Sequence, residues 1–491
     1  MRWAAEDDVD DNDLRLPAGP RARQSTSPLG ILAFEAAATM AKLLTLHRSL
    51  TEKEVSRLRS HAMRAPGVAY LSSTDQSFLL RLACAESVAA LDAAAAAVAR
   101  LGARCGVDFA GPYASLKAGA PDARLDQFAA RGGIKVKAKK MERLVAATAK
   151  LCAEMEALDE LEAAEQKLAA HCGWGRLSGP IPSPAVAAGD GTRSDELRMD
   201  IRAQRARVRR LKEESLWSQS YGNAIALMAR AACAVFVRVC VVFGAHVAGL
   251  PPPLPPVDAI HSRLSKLLLL HPMSGPAQPR SLSGPIQQNM PPLRIEMSSN
   301  SCPIIRSHWQ TTPPPPRAED YWRRLLEPPL GTVGGAGLDL QYANVITTAE
   351  RLLLLETEAR AAERAELYAM LPSKLRAAVR AKLRGWWRER GKTTGGERET
   401  DAGLAEGWRS AAVRILAWLG PMARDTARWH EERSMDRRRR FEVGGGARAW
   451  ALQTLRWADA EKAEAAAVEV LVALSCVCWY EERRRAASLR L

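Results

Sequence analysis

Nothing in the sequence pairs its cysteines: nine are scattered at 84, 105, 152, 172, 233, 240, 302, 476 and 478, with no CxxC and no regular spacing. That excludes a disulfide framework and a zinc module, and predicts reduced, mostly buried thiols in a cytosolic or nuclear compartment. Phe and Tyr are scarce, seven each, while Ala, Leu, Arg and Glu dominate. These side chains lose little rotamer freedom in a helix, so the expected fold is all-α. Apolar stretches of about 18 residues are missing as well. The most lipid-like run, "AIALMARAACAVFVRVCVVFGAHVAGL", is divided by Arg230 and Arg238 and reads as a core helix, with a membrane-surface helix as the alternative. An integral membrane protein is not expected. The opening "MRWAAEDDVDDND" lacks the basic flank and apolar core of a secretory signal.

Catalytic signatures are absent too. "GTVGGAGLDLQYANVIT" begins with a glycine cluster that invites comparison with a phosphate loop. Such a loop needs a preceding strand and a Lys-Ser/Thr after its last glycine, but Gly337 is followed by Leu338 and Asp339. The dinucleotide fingerprint fails because Leu340 stands where its third glycine belongs. Bare amides at a helix entry can still attract an anion, which makes Gly334, Gly335 and Gly337 a secondary anion-site candidate beside a close-packing role. In "WHEERS", His430 has no second histidine at zinc-binding spacing and reads as a surface or interface residue. No nucleophile elbow, kinase loop set or carboxylate pair stands out. An enzyme is not expected, and no catalytic, cofactor-binding or metal-binding residue is assigned.

What is present is positive charge. The net formal charge of +15 makes an acidic partner or surface plausible, although most of it lies in mixed stripes such as "RAQRARVRRLKEES", the pattern of solvated helix faces. The denser clusters are "KVKAKK", "RVRR", "DRRRRF" and "EERRR". Arg437, Arg438, Arg439 and Arg440 lie between helices and before "GGG", the best context for an exposed nuclear-import run. Nucleic acid is not the expected partner.

The pattern of breakers and apolar positions divides the chain into residues 1–27, a disordered acidic N-terminus; 28–248, an N-terminal helical domain; 249–316, a Pro-rich disordered linker; and 317–491, a Trp-rich helical domain. The architecture is therefore two helical bundles on either side of a long linker. Within the first, Ser27 and Pro28 read as a helix start, and "TEKE" (51–54) and "STDQ" (73–76) as capping boxes. Met141, Leu144, Thr148, Leu151, Met155 and Leu158 form a seam that can face Leu197, Ile201, Val208 and Leu211 across a disordered loop at about 173–194, giving a long helical hairpin. Trp408, Trp418, Trp429, Trp450, Trp457 and Trp479 read as core of the second domain.

Several long blocks resemble one family. "LGILAFEAAATMAKLLTLHRSLTEKEVSRLR", "GVAYLSSTDQSFLLRLACAE", "KKMERLVAATAKLCAEMEALDELE" and "LKEESLWSQSY" are similar to the N-terminal part of the plant PSK SIMULATOR family. "GGAGLDLQYANVIT", "LYAMLPSKLRAAVRAKLR", "ILAWLGPMARDTARWHEERS" and "LQTLRWADAEKAEAAAVEVLVAL" resemble its C-terminal domain, in the same order. The resemblance implies a growth-promoting plant protein connected with phytosulfokine signalling, nuclear, without enzymatic activity, and working through protein partners. A peripheral protein on an anionic membrane, in the cytoplasm or at the cytoplasmic face of the plasma membrane, is the alternative. Members that begin Met-Gly can be myristoylated; Arg2 here removes that expectation. Two motifs depart from the family pattern. "LALHYANVI" appears as "LDLQYANVI", which introduces Asp339 and Gln341, and "LAPLAH" appears as "LGPMAR", which introduces Arg424.

Overall fold

The computed structural model describes residues 27–104, 106–118, 133–175, 184–244, 322, 324–354, 357–390, 398–434, 440–443 and 448–488. The chain divides into two units, residues 1–254 with 321–491, and residues 255–320; every described residue belongs to the first. The predicted acidic N-terminus, the Pro-rich linker and Arg437–Arg439 lie outside the described residues.

The fold is all-α, with two helical regions separated in sequence by residues 245–321. The first contains α1 (Ala33–Ser49), α2 (Glu52–Ser60), α3 (Pro66–Leu71), α4 (Gln76–Arg104), α5 (Ala110–Lys117), α6 (Gly133–Gly175), α7 (Pro184–Glu214) and α8 (Tyr221–Phe243). The second contains α9 (Asp339–Leu354), α10 (Thr357–Met370), α11 (Ser373–Arg390), α12 (Arg398–Arg433) and α13 (Ala460–Ser488). Among the described residues extended pairing is confined to two isolated bridges, Pro28 with Ser220 and Thr332 with Asp459.

Local signals set helix ends differently from the expected caps. Ser27 and Pro28 do not open a helix. The Ser27 carbonyl accepts from the Tyr221 amide, the Leu29 amide donates to Gln219, and α1 begins after a short 3-10 turn at Gly30–Leu32. The Thr51 hydroxyl does not cap α2 either; it donates to the Arg48 carbonyl and closes the end of α1, whose last carbonyls lack helical donors. At α4 the cap is Asp75, not Ser73: its Oδ1 accepts from the amide and the hydroxyl of Ser77, and these bonds hold its carboxyl below the usual value. The break expected over 173–194 is shorter. Helix continues to Gly175 and resumes at Pro184, a first-turn position where the missing N–H costs no bond.

α6 and α7 run antiparallel along their length. Leu151, Val208 and Leu211 form a small core of their own with Met155, Leu158, Phe34 and Trp217 around it. Gln204 donates to the Glu154 carbonyl and carboxylate, and Glu162–Arg205 and Glu165–Arg198 pair farther along. Three helices, Gln76–Arg104, Tyr221–Phe243 and the described part of α13, are long and apolar enough to cross a membrane, so Arg230 and Arg238 do not disqualify α8 on length and hydropathy. In each, 67% to 72% of the apolar window is buried in the bundle, which gives that surface a protein environment instead.

The two regions share one apolar core. α3 packs on α12, with Tyr70 edge-on to Trp418 at 5.1 Å; Phe78 meets Trp457 at 6.3 Å and Phe34 meets Phe441 at 6.3 Å. The Asp459 amide donates to the Leu71 carbonyl at 2.7 Å and Arg48 to the Val443 carbonyl at 3.2 Å.

Candidate functional site

The glycine-rich entry to α9 is a packing device. The Val333 and Gly334 amides donate to the carbonyls of Ala458 and Arg456; Gly335 donates to the Thr332 hydroxyl, Ala336 to the Thr332 carbonyl and Gly337 to the Gly334 carbonyl. A Cβ at Gly334 would collide with the Arg456 carbonyl, and one at Gly335 with that of Pro329. Gly337 sits at φ +70°, open to glycine without strain. The amides that make Gly334, Gly335 and Gly337 an anion candidate are thus spent on protein acceptors.

The departures Asp339, Gln341 and Arg424 each tie two elements together. Asp339, buried at the start of α9, accepts from His430 Nε2 of α12 at 2.9 Å and lies 3.7 Å from the Arg456 guanidinium. Gln341 donates to the Met370 carbonyl at 2.8 Å, and Arg424 pairs with Glu350. Both contacts fall on Oδ2, and donors of this kind offset the cost of burying a carboxylate.

The densest charge cluster is one the sequence gave no reason to single out. Glu86, in the middle of α4 among Leu, Ala and Cys, is only 4% exposed. Its Oε1 accepts from Trp429 Nε1 at 3.0 Å and from Arg433, and lies 3.2 Å from Arg448 Nη2; its Oε2 accepts from the Ala451 amide at 2.8 Å. Arg433 also stacks on Trp429 at 3.9 Å, and burial holds its guanidinium below the usual value against the pull of Glu86. The first region supplies the carboxylate and the second supplies every donor.

Beside this junction a cleft of about 380 Å³ opens between α2–α3 and α12. Trp418, Met422 and Trp450 give it apolar walls, while Glu54, Arg57, His61, Asp425, Arg428 and Arg448 bring charge. Pro421 lies inside α12 at the cleft and has no N–H for the Ala417 carbonyl, which also lines it. Burial pushes the Asp425 carboxyl up, opposed by Arg428, Arg424 and Arg57. A second cleft of about 420 Å³ is lined by Arg59, Arg64 and Arg238 together with Glu52, Ser56 and Ser60. There Arg59 donates to the Val242 carbonyl and Arg238 to that of Leu50, satisfying helix ends.

Of the candidate import run only Arg440 is described, and it is half-buried. Its guanidinium lies 5.6 Å from the Phe34 ring and 4.7 Å from the Phe441 ring, and Nη2 donates to Cys152 Sγ at 2.9 Å. Burial raises the Cys152 thiol and Arg440 lowers it. Replacing Arg440 with alanine removes these contacts and should cost about 1 kcal/mol in urea unfolding, by loss of ring stacking and stem packing; an unchanged midpoint would show that the contacts carry no stability. Of the six tryptophans expected in the core, Trp450 and Trp457 are buried, while Trp408, Trp418, Trp429 and Trp479 are partly covered; Trp322 is buried as well. Trp387 is exposed at the edge of a Trp386–Trp387–Trp479 cluster.

Among the described residues, two helical regions close over a buried charge junction, an all-α class of fold. Residues 31–87 match the family described as "Domain of unknown function (DUF3475)", and residues 332–428 match "Protein of unknown function (DUF668)". Protein PSK SIMULATOR 1 of Arabidopsis thaliana is 23% identical over 458 residues, 90% of this chain and 55% of that protein. Protein PSK SIMULATOR 3 of the same plant is 25% identical over 411 residues, 82% of this chain and 48% of that protein. These two matches over most of the chain, with the two domain matches in the same order, support the PSK SIMULATOR family. It spans about half the length of the curated relatives it matches. No solved structure matches it. Glu86 falls at the last positions of the first matched region, whereas Arg433 and Arg448 lie just beyond the second.

Proposed function

We propose that this chain is a regulator promoting plant growth in phytosulfokine signalling, and that it works as an adaptor for protein partners instead of transforming a substrate. The observation that carries the reading is the similarity to two proteins named PSK SIMULATOR over most of the chain. The geometry is compatible with a binding role: the carboxylate of Glu86 joins the two regions and that of Asp339 ties α9 to α12 within the second, so both are engaged by donors of the protein itself. In a plant lacking its own relatives of this family, expression of the chain should restore root growth and the growth response to applied phytosulfokine. Unchanged growth at verified protein levels would reject the assignment.

The nucleus is the proposed site of action, with Arg437–Arg439 as the import run. Arg440 is left out of the test because it packs on Phe34 and Cys152. Changing Arg437, Arg438 and Arg439 together to alanine in a fluorescent fusion should move signal to the cytoplasm, and an unaltered distribution would remove the run from consideration.

A further inference from the structure

The outer faces of α6 and α7 carry charge in blocks that fit one another. Pairs inside the hairpin, Glu165 with Arg198 and Glu154 with Arg207, fix which residues stand level. Read toward the α6–α7 connection, the exposed charges of α6 are Lys150, then Glu156, Asp159 and Glu160, then Lys167. Against these levels α7 places Glu214 and Glu213, then Arg210, Arg209 and Arg202, then Glu196 and Asp195. Asp200 is the one acid inside the basic block, Lys212 lies over the Trp217 ring, and Arg198, Arg205 and Arg207 are taken up by Glu165, Glu162 and Glu154. Asp195 also touches Arg198, and Glu156 accepts from the Cys152 thiol. Asp159, Glu160, Arg202, Arg209 and Arg210 have no partner among the described residues.

Sorting charge in this way is unfavourable for a hairpin standing alone, since like charges three and four residues apart on a helix repel. It becomes favourable when the outer face of α6 meets the outer face of α7, because plus–minus–plus then lies on minus–plus–minus. The hairpin cannot satisfy this itself, as its two helices already meet through their inner faces. A wholly acidic partner or an anionic lipid surface would suit only the middle of α7 and be repelled by Glu196, Glu213 and Glu214. The surface that matches all three blocks is the arm of another copy, set level and pointing the same way. α7 packs chiefly on α6 and the Leu216–Ser218 turn, so its far side is open. Met199, 66% exposed, stands level with the exposed Ala163, and Ala203 and Ala206 follow on the same side of α7. These short side chains let helices approach closely and add apolar burial to the charge pairing, which sets register.

We propose that the α6–α7 arm is a self-recognition surface: two copies lie side by side, with α6 of each against α7 of the other. Both contacts are the same by symmetry, as a closed twofold dimer requires. This inference is separate from the growth-signalling reading, and its test does not depend on it.

Sedimentation velocity of the full chain tests it. At about 100 µM chain, where even a modest interface is populated, the protein should sediment as a dimer in low salt and dissociate as salt near 1 M shortens the Debye length to about 3 Å. Asp159→Lys with Glu160→Lys, and separately Arg202→Glu with Arg209→Glu and Arg210→Glu, should each give a monomer with wild-type circular dichroism, since all five positions are exposed. Mixing the two reversed proteins should restore a dimer, because each now offers the face the other lacks. A second measurement needs no variant. Carbodiimide cross-linking of mixed light and heavy-nitrogen wild-type chains should join Lys167 of one copy to Glu196 or Asp195 of the other, seen as mixed-isotope peptides. A wild-type monomer at all concentrations, a dimer untouched by either reversal, reversed monomers that fail to pair, or absence of the mixed-isotope cross-link would each overturn the proposal.

Discussion

Replacing Glu86 with alanine should cost this fold about 3–5 kcal/mol, the scale for removing one partner of a buried ion pair. The carboxylate accepts from Trp429, Arg433 and the Ala451 amide and pairs with Arg448. Without it, two guanidiniums face one another in an enclosed site, and burial already holds that of Arg433 below its usual value. Alanine also leaves the indole N–H and a backbone amide unmatched. Urea unfolding followed by tryptophan fluorescence measures the loss, since Trp429 and Trp450 report on the junction itself. Glu86→Gln keeps the shape and part of the hydrogen bonding but no charge, so it should fall between wild type and alanine. Glu86→Leu combined with Arg433→Met and Arg448→Met should recover much of the loss, because the desolvation cost leaves together with the pairing. A midpoint in Glu86→Ala within error of wild type would show that the junction adds nothing to cohesion.

The second large effect is expected from Gly67→Val. Gly67 lies on α3, buried against α12, and a Cβ there would sit 2.6 Å from the Trp418 carbonyl oxygen and 2.6 Å from Met422 Sδ. The methionine can turn away; the carbonyl belongs to a helix backbone and cannot. Valine therefore forces α3 off α12 or leaves the clash in place, at about 1–3 kcal/mol for overpacking. The Tyr70–Trp418 ring contact and the Asp459 bond to Leu71 are strained in the same movement. Gly407→Val is the control: the space around its Cβ position is empty, so only helix propensity changes, by a few tenths of a kcal/mol. If Gly67→Val and Gly407→Val behave alike, the close approach of α3 and α12 has no energetic weight.

Both predictions concern positions that local patterns leave blank. "RLACAESVAALD" reads as one more apolar helix, and Glu86 within it has the appearance of a solvated charge. Its partners Trp429 and Arg433 are 343 and 347 residues away, beyond any helical spacing rule. The altered positions Asp339, Gln341 and Arg424 were visible as departures, but the sequence offered no partner for them. The structure supplies His430, the Met370 carbonyl and Glu350. Arg440 shows the converse: a run of four arginines looks uniformly solvent-facing, yet its last member lies against two aromatic rings and a thiol.

Helix content, the order of the two regions and their separation were decided by the sequence alone, because a 3.6-residue period and runs of proline act over a few neighbours. The family was legible for the same reason, as blocks of local pattern kept in order. Union of the two regions into one core was decided only in three dimensions, as were the burial of Glu86, the use of the glycine amides and the shape of the cleft. A charge or a bare amide takes its meaning from what desolvates it and what pairs with it. Here those partners come from the far end of the chain.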